Sequence, residues 1–175
     1  MNEFNFDWTQ FEREIFIQAD LDIVFKAWAK PSEITKWFIA TADVKSADKR
    51  PRPADEIVQA GDHYQWRWHQ DLQADGTILD VIENEKLQFT FGDKDPGSAE
   101  KIIVTLHFED LGDTTSITLH QENLPDTEQG RVQWYLGCNM GWSFFMTNLK
   151  AFLEHGVDLR ETDAERAYAS RAITH

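Results

Sequence analysis

This sequence predicts an α+β domain in which an antiparallel sheet is wrapped on one long C-terminal helix. Three observations predict it. From Gly61 to Gln121 the apolar residues recur at every second position. Turn-forming residues break that stretch into short runs, so neighbouring strands are expected to pair antiparallel. After Pro125 the period becomes helical and holds to about Glu154. A curved sheet with one apolar face needs a cover, and this last helix is the only element long enough to supply it.

In chain order, Phe11–Ala19 is β-prone around Ile15, Phe16 and Ile17 and reads as a first strand. Asp20 or Asp22 caps a helix over Ile23–Ala29, where Val24, Ala27 and Trp28 share a face. Pro31 ends that helix and pre-sets the next, with Ser32 as cap of a short helix through Trp37 and Phe38. Ala42–Glu56 reads as a loop, with prolines at 51 and 53. Tyr64, Trp66 and Trp68 then point one way, and His63, Gln65, Arg67 and His69 the other. Asp75-Gly76 is a tight-turn signal before a strand over Thr77–Ile82, and Asn84-Glu85 turns the chain into Leu87–Phe91. Asp95-Pro96-Gly97 is a further turn. Ile102, Val104, Leu106 and Phe108 alternate with Ile103, Thr105 and His107. Gly112-Asp113 leads into Ser116–Gln121, with Ile117, Leu119 and Gln121 on one face. In the helix, Tyr135, Cys138, Trp142, Phe145, Leu149 and Phe152 follow steps of three and four, and His155-Gly156 is the stop. The polar residues from Asp158 are expected to fray or to form a loose helix.

The chain has 175 residues, suited to one domain with a sizeable core. No repeat or interdomain linker divides it. Seven Trp and twelve Phe are enough aromatic bulk to fill a large core or to line a cavity. The formal charge is 17 − 31 = −14, which makes nucleic acid and anionic membrane poor partners. Lys45, Lys49, Arg50 and Arg52 lie among Asp43, Asp48, Asp55 and Glu56, as in a solvated loop. Cys138 is the only cysteine, so no internal disulfide forms. The N-terminus lacks the basic and apolar regions of a signal peptide. Val132–Leu149 is uncharged, but polar residues and two glycines interrupt it, so a buried helix is expected rather than a membrane span. A cytoplasmic location follows by elimination.

Several motifs together resemble the START-like (SRPBCC, birch-pollen-allergen-like helix-grip) superfamily, and within it the Aha-type family related to an activator of a heat-shock chaperone's ATPase. They are ADLDIVFKAWAKPSEITKWF from Ala19 to Phe38, GDHYQWRW from Gly61 to Trp68 and GTILDVIENEKLQFTF from Gly76 to Phe91. ITLHQENL from Ile117 to Leu124 and GWSFFMTNLKAFLE from Gly141 to Glu154 complete the set. Asp62 stands where the family usually has a second Gly, and the loop from Ala42 to Ala60 is longer than usual. The resemblance implies a helix-grip fold of about six or seven strands, with two short helices after the first. It makes residues 1–175 one START-like domain, with a core of about 11–156 and a polar tail over 157–175. It also implies a cavity between sheet and helix for an apolar small molecule. Trp28 and Trp37 would stand near its mouth, with Tyr64, Trp66 and Trp68 along the wall. Phe89, Phe91, Leu106, Phe108, Leu119 and Gln121 would continue the lining, and Trp142, Phe145 and Leu149 would close it from the helix.

The residues themselves leave the aromatic face open between a closed core and a pocket wall, in which Tyr64 OH and the indole N–H groups would be polar handles. The histidines show no metal-site pattern: His63 and His69 would lie about 20 Å apart along a strand. His107 and His120 suggest a pair facing each other across a hairpin. Cys138 sits among apolar neighbours and is expected to stay a protonated thiol, and Ser143 lacks a nucleophile's sequence context. No catalytic residue, metal or cofactor is therefore assigned. Three functions remain: a small-molecule carrier, sensor or sequestering factor; a cyclase-, dehydratase- or hydrolase-type enzyme using the same cavity; or a co-chaperone or stress-response protein–protein module. The enzyme would draw on Asp80, Tyr64 and Gln121, with Asp80 expected to be solvent-facing. Both a monomer and a homodimer fit the sequence.

Overall fold

The computed structural model describes residues 5–93 and 100–171. Its seven strands form one antiparallel sheet in the order β1-β7-β6-β5-β4-β3-β2. β1 (Phe11–Ile17) is followed by α1 (Leu21–Ala29) and α2 (Pro31–Ile34). Next come β2 (Thr41–Lys45), β3 (His63–Arg67), β4 (Gln73–Ile82), β5 (Lys86–Asp93), β6 (Lys101–Asp110) and β7 (Thr115–Glu122). The chain ends in α3 (Glu128–Gly130), a π-helical turn over Arg131–Leu136, α4 (Gly137–His155) and α5 (Ala164–Arg171). α3, the π turn and α4 run on without a break as a helix of 28 residues. The expected α+β helix-grip architecture, with its curved sheet, long helix and two early short helices, is thus the observed one.

Alternation set the strand faces as expected: Tyr64 and Trp66 are buried while His63, Gln65 and Arg67 are exposed. In β6, Ile102, Val104, Leu106 and Phe108 are buried. Gly156 ends α4 in the left-handed region at φ 67°.

Four local readings differ. Thr41–Lys45, inside and beside the expected loop, is a strand whose mostly polar residues mask it; Val44 is its one fully buried side chain. Asp75-Gly76 is no turn but lies inside β4, pairing with Gln65 and Tyr64. The turn comes earlier, where Asp71 N–H donates to Trp68 O and Asp71 adopts φ 60°. Gly76 is instead a close approach: a Cβ there would lie 2.5 Å from Thr90 O and 2.7 Å from Tyr64 OH. Lys30, not Ser32, is the cap residue of α2, because Pro31 already occupies the first helical position. Asp20 is the cap residue of α1 but its side chain makes no capping bond.

The tail does not fray at its start. Arg160 donates to Ile39 O (3.0 Å) and Thr35 O (3.2 Å) and pairs with Asp158 at 2.7 Å. The buried Asn148 of α4 donates to Trp37 O (2.6 Å) and to Asp158 (3.1 Å), and accepts from Leu159 N–H (2.7 Å). These partners exist only in the folded domain, so polarity along the sequence could not reveal them. The Asp95-Pro96-Gly97 turn lies outside the described residues.

A candidate ligand pocket at the open end of the sheet

The sheet's aromatic face meets the long helix with two different outcomes. Toward α1 and α2 the rings fill the space. Phe38 stacks on Trp142 with centroids 5.3 Å apart and meets Phe145 edge-on at 4.8 Å; Trp28 and Trp37 sit 4.6 Å apart. Beneath Trp28, among Tyr64, Trp66, Phe89 and others, a void of about 10 Å³ remains, and on the outer side of Phe38 a pocket of about 290 Å³ is shared with Trp68, Phe145 and the tail at Leu159 and Arg160. The void is at the lower limit for one water molecule.

Toward the far ends of β3, β4 and β5 the rings leave a pocket of about 810 Å³. Trp68, Phe91, Trp134 and Phe145 supply its aromatic walls, and Leu72 an aliphatic one. Polar residues of the strands also border it, His63, Gln73, Asp75, Thr77 and Thr90, the first four standing by register on the sheet face opposite Tyr64 and Trp66. The size and the mixture of large apolar walls with a few polar groups are those of small-molecule sites.

Two glycines and the π turn shape this space. Gly92 has φ 98°, and a Cβ on it would lie 2.5 Å from the ring of Trp134. Trp134 therefore lies directly on the β5 backbone, which only glycine allows there. Trp134 belongs to the π-helical turn, whose extra residue per turn re-aims its side chains relative to those of α4. Gly76, on the pocket floor, lets Tyr64 OH reach Thr90 O, the bond that holds the hydroxyl. Thr90 Oγ1 accepts from Thr77 N–H at 2.9 Å, and Thr77 Oγ1 lies 3.1 Å from His63 Nδ1. The polar side of the pocket is thus an ordered chain of hydrogen bonds. Burial, reinforced by the charge of Asp75, pushes the Tyr64 phenol well above its usual range, so it stays a neutral donor.

Of the fourteen residues expected to line a cavity, Trp68, Phe91 and Phe145 line the pocket. Trp28, Tyr64, Trp66 and Phe89 border the small void. Trp37, Leu106, Phe108, Leu119 and Leu149 are buried in the core between the two layers. Gln121, also there, accepts from Trp142 Nε1 at 2.6 Å. Trp134 and the polar group were not expected. Trp134 was legible only as an aromatic residue in an uncharged helix, and the misplaced Asp75-Gly76 turn moved Gln73 and Asp75 off the strand that carries them.

The other candidate groups are engaged. Asp80 is half-buried and pairs with Lys86 at 3.1 Å. His107 pairs with Thr118 and His120 with Thr105, so the two histidines are offset rather than opposed; His120 Nε2 lies 2.9 Å from Gln10 Oε1. Among the described residues no three His, Cys, Asp or Glu side chains gather as metal ligands would. Burial pushes the Cys138 thiol up to about 11, with Gln121 opposing. Ser143 donates back to Asn139 O at 2.8 Å. Asp62, where the resembled family carries glycine, is buried and accepts from both Arg52 Nη2 (2.8 Å) and Gln59 N–H (2.8 Å). That buried pair ties the long loop to the start of β3. Among the described residues no helix is long and apolar enough to cross a membrane.

Comparison with known proteins agrees with this architecture. Residues 18–154 match the family described as Activator of Hsp90 ATPase homolog 1-like protein. No curated protein matches the chain. Similar solved structures include a Staphylococcus saprophyticus protein, 22% identical, with TM-score 0.65 and coverage of 86% of this chain and 96% of that one. The Aha1 dimer from Colwellia psychrerythraea is 20% identical with TM-score 0.66, covering 84% and 97%. An HSP90 activator from Plasmodium falciparum is 16% identical with TM-score 0.60, covering 83% and 96%. At these identities the likeness is one of fold.

Proposed function

We propose that this chain, which belongs to the Activator of Hsp90 ATPase homolog 1-like family, is a small-molecule binding protein holding an apolar, aromatic or lipid-like ligand. The observation that carries the reading is the 810 Å³ pocket walled by Trp68, Phe91, Trp134 and Phe145. Its hydrogen-bonded polar side would fix the ligand's orientation while the rings supply contact area. The work is that of a carrier, sensor or sequestering factor in the cytoplasm. An enzyme on the same pocket is less well supported, because none of Asp80, Tyr64 and Gln121 lines it.

Titration of the intrinsic tryptophan fluorescence with fatty acids and flavonoid-like compounds tests the reading. Trp68 and Trp134 should report saturable binding, and Trp134→Ala should weaken it by at least about tenfold, equivalent to about 1.4 kcal/mol. Binding that Trp134→Ala leaves unchanged would place the ligand elsewhere. A co-chaperone role is a second reading, supported by the family's name and by the Plasmodium relative described as an HSP90 activator. It requires that the chain raise the ATPase rate of an Hsp90-type chaperone, and an unchanged rate at saturating chain would reject it.

A further inference from the structure

The smaller pocket, of about 290 Å³, shares Trp68, Gln70 and Phe145 with the larger one but is otherwise built from different residues. Four rings wall it. Phe38 meets Trp68 edge-on at 5.3 Å and Phe145 at 4.8 Å, and Phe144 meets Phe145 at 5.2 Å. Phe144 is 44% exposed, so this wall stays open to a molecule arriving from solvent. An apolar cavity of about 150 Å³ takes a benzene, so the pocket has room for one or two rings. Its remaining side is the tail, at Leu159, Arg160 and Glu161. Those three lie beyond residues 18–154, the part that matches the family, so the pocket is a feature of this chain.

The polar groups decide what fits. Arg160 commits Nε and Nη2 to Asp158, Nη2 also to Thr35 O, and Nη1 to Ile39 O. Glu161 accepts from Arg166 Nε at 2.8 Å. Both charges of the wall are thus already paired. His69 differs, because among the described residues its side chain makes no hydrogen bond. Burial, with the charge of Arg160, holds its imidazole below the usual range against the opposing pull of Asp158. The ring is therefore neutral at neutral pH and keeps one bare nitrogen as an acceptor. An anionic ligand would find no unpaired cation here, and the net charge of −14 repels it. We propose that this pocket binds a small neutral phenol, its ring among Phe38, Trp68, Phe144 and Phe145 and its hydroxyl donating to His69. The site stands independently of whether the larger pocket is filled.

NMR titration of the full chain with phenol, toluene and benzoate at neutral pH is the test. Phenol should shift the ring signals of His69 and Phe144 saturably, while the indole N–H of Trp134 in the larger pocket stays in place. Benzoate should bind at least about tenfold more weakly than phenol, because its charge goes uncompensated. Toluene has the size of phenol without the hydroxyl, so it separates the hydrogen bond from the walls. His69→Leu should weaken phenol about fivefold, the worth of one hydrogen bond, and leave toluene bound as well as before. Phe144→Ala, at a half-exposed ring, should weaken both. Three results overturn the proposal. One is no shift at His69 up to about 10 mM phenol, beyond the weak end of the usual affinity scale. Another is an equal loss of phenol and toluene in His69→Leu, which would make His69 only structural. The third is benzoate binding as tightly as phenol.

Discussion

The two ends of the aromatic face are built from the same residue types and behave oppositely. Around Trp28, Tyr64 and Trp66, the rings of α1 and β3 pack against Phe89 and leave only about 10 Å³, while the neighbouring Phe38 interlocks with Trp66 and Trp142 and has a pocket of about 290 Å³ on its outer side. Around Phe91, a pocket of about 810 Å³ stays open. Aromatic content therefore does not decide between core and pocket. The difference lies in what stands opposite the rings. At the closed end Trp28, Trp37 and Phe38 add a further layer beneath the helix. At the open end that layer is missing, and Trp134 reaches across to the backbone of Gly92 instead of filling the gap.

The comparison breaks most sharply if the closed end proves tolerant. Phe38→Ala should lower the unfolding free energy by about 3–5 kcal/mol in urea denaturation, the range for a large aromatic lost from a core. A loss under about 1 kcal/mol would mean that the closed end is as loose as the open one. The Arg52–Asp62 pair that ties the long loop over this end is buried on both sides. Asp62→Ala should cost about 3–5 kcal/mol, because it leaves the guanidinium buried without its partner, and the double change Arg52→Met with Asp62→Leu should recover most of that loss.

Smaller effects sharpen the open end. Gly76→Ala should cost about 1–3 kcal/mol, since its methyl group must displace Tyr64 OH from Thr90 O. It should also weaken ligand binding more than an alanine placed elsewhere on β4. The least disruptive probe is chemical. With its thiol at about 11, Cys138 should react with iodoacetamide at pH 8 about 100-fold more slowly than a free cysteine, whose thiol titrates near 8.5. The rate should climb as the pH rises through 11, and fast labelling at pH 8 would show that this part of the helix opens readily.

How far the sequence could be read follows the same division. Strands with one buried face announce themselves by alternation, which is why Tyr64, Trp66 and the β6 residues were legible. The long helix was legible from its steps of three and four. β2 was not, because five largely polar residues with a single buried valine carry almost no periodic signal. Gly76 was read as a turn because Asp-Gly is a strong local signal, whereas its cause is non-local: the carbonyl of Thr90 and the hydroxyl of Tyr64 occupy the space of a side chain. The pocket failed to show for a similar reason. Alternation told which rings face inward, but whether they meet depends on the π turn that aims Trp134 onto Gly92.

Native mass spectrometry of the freshly purified protein tests the ligand pocket most directly. A bound small molecule is expected, or one taken up from a panel of fatty acids and flavonoid-like compounds. It should be lost on denaturation and much reduced in Trp134→Ala. A bare 20.3 kDa chain mass after every compound has been offered would contradict it.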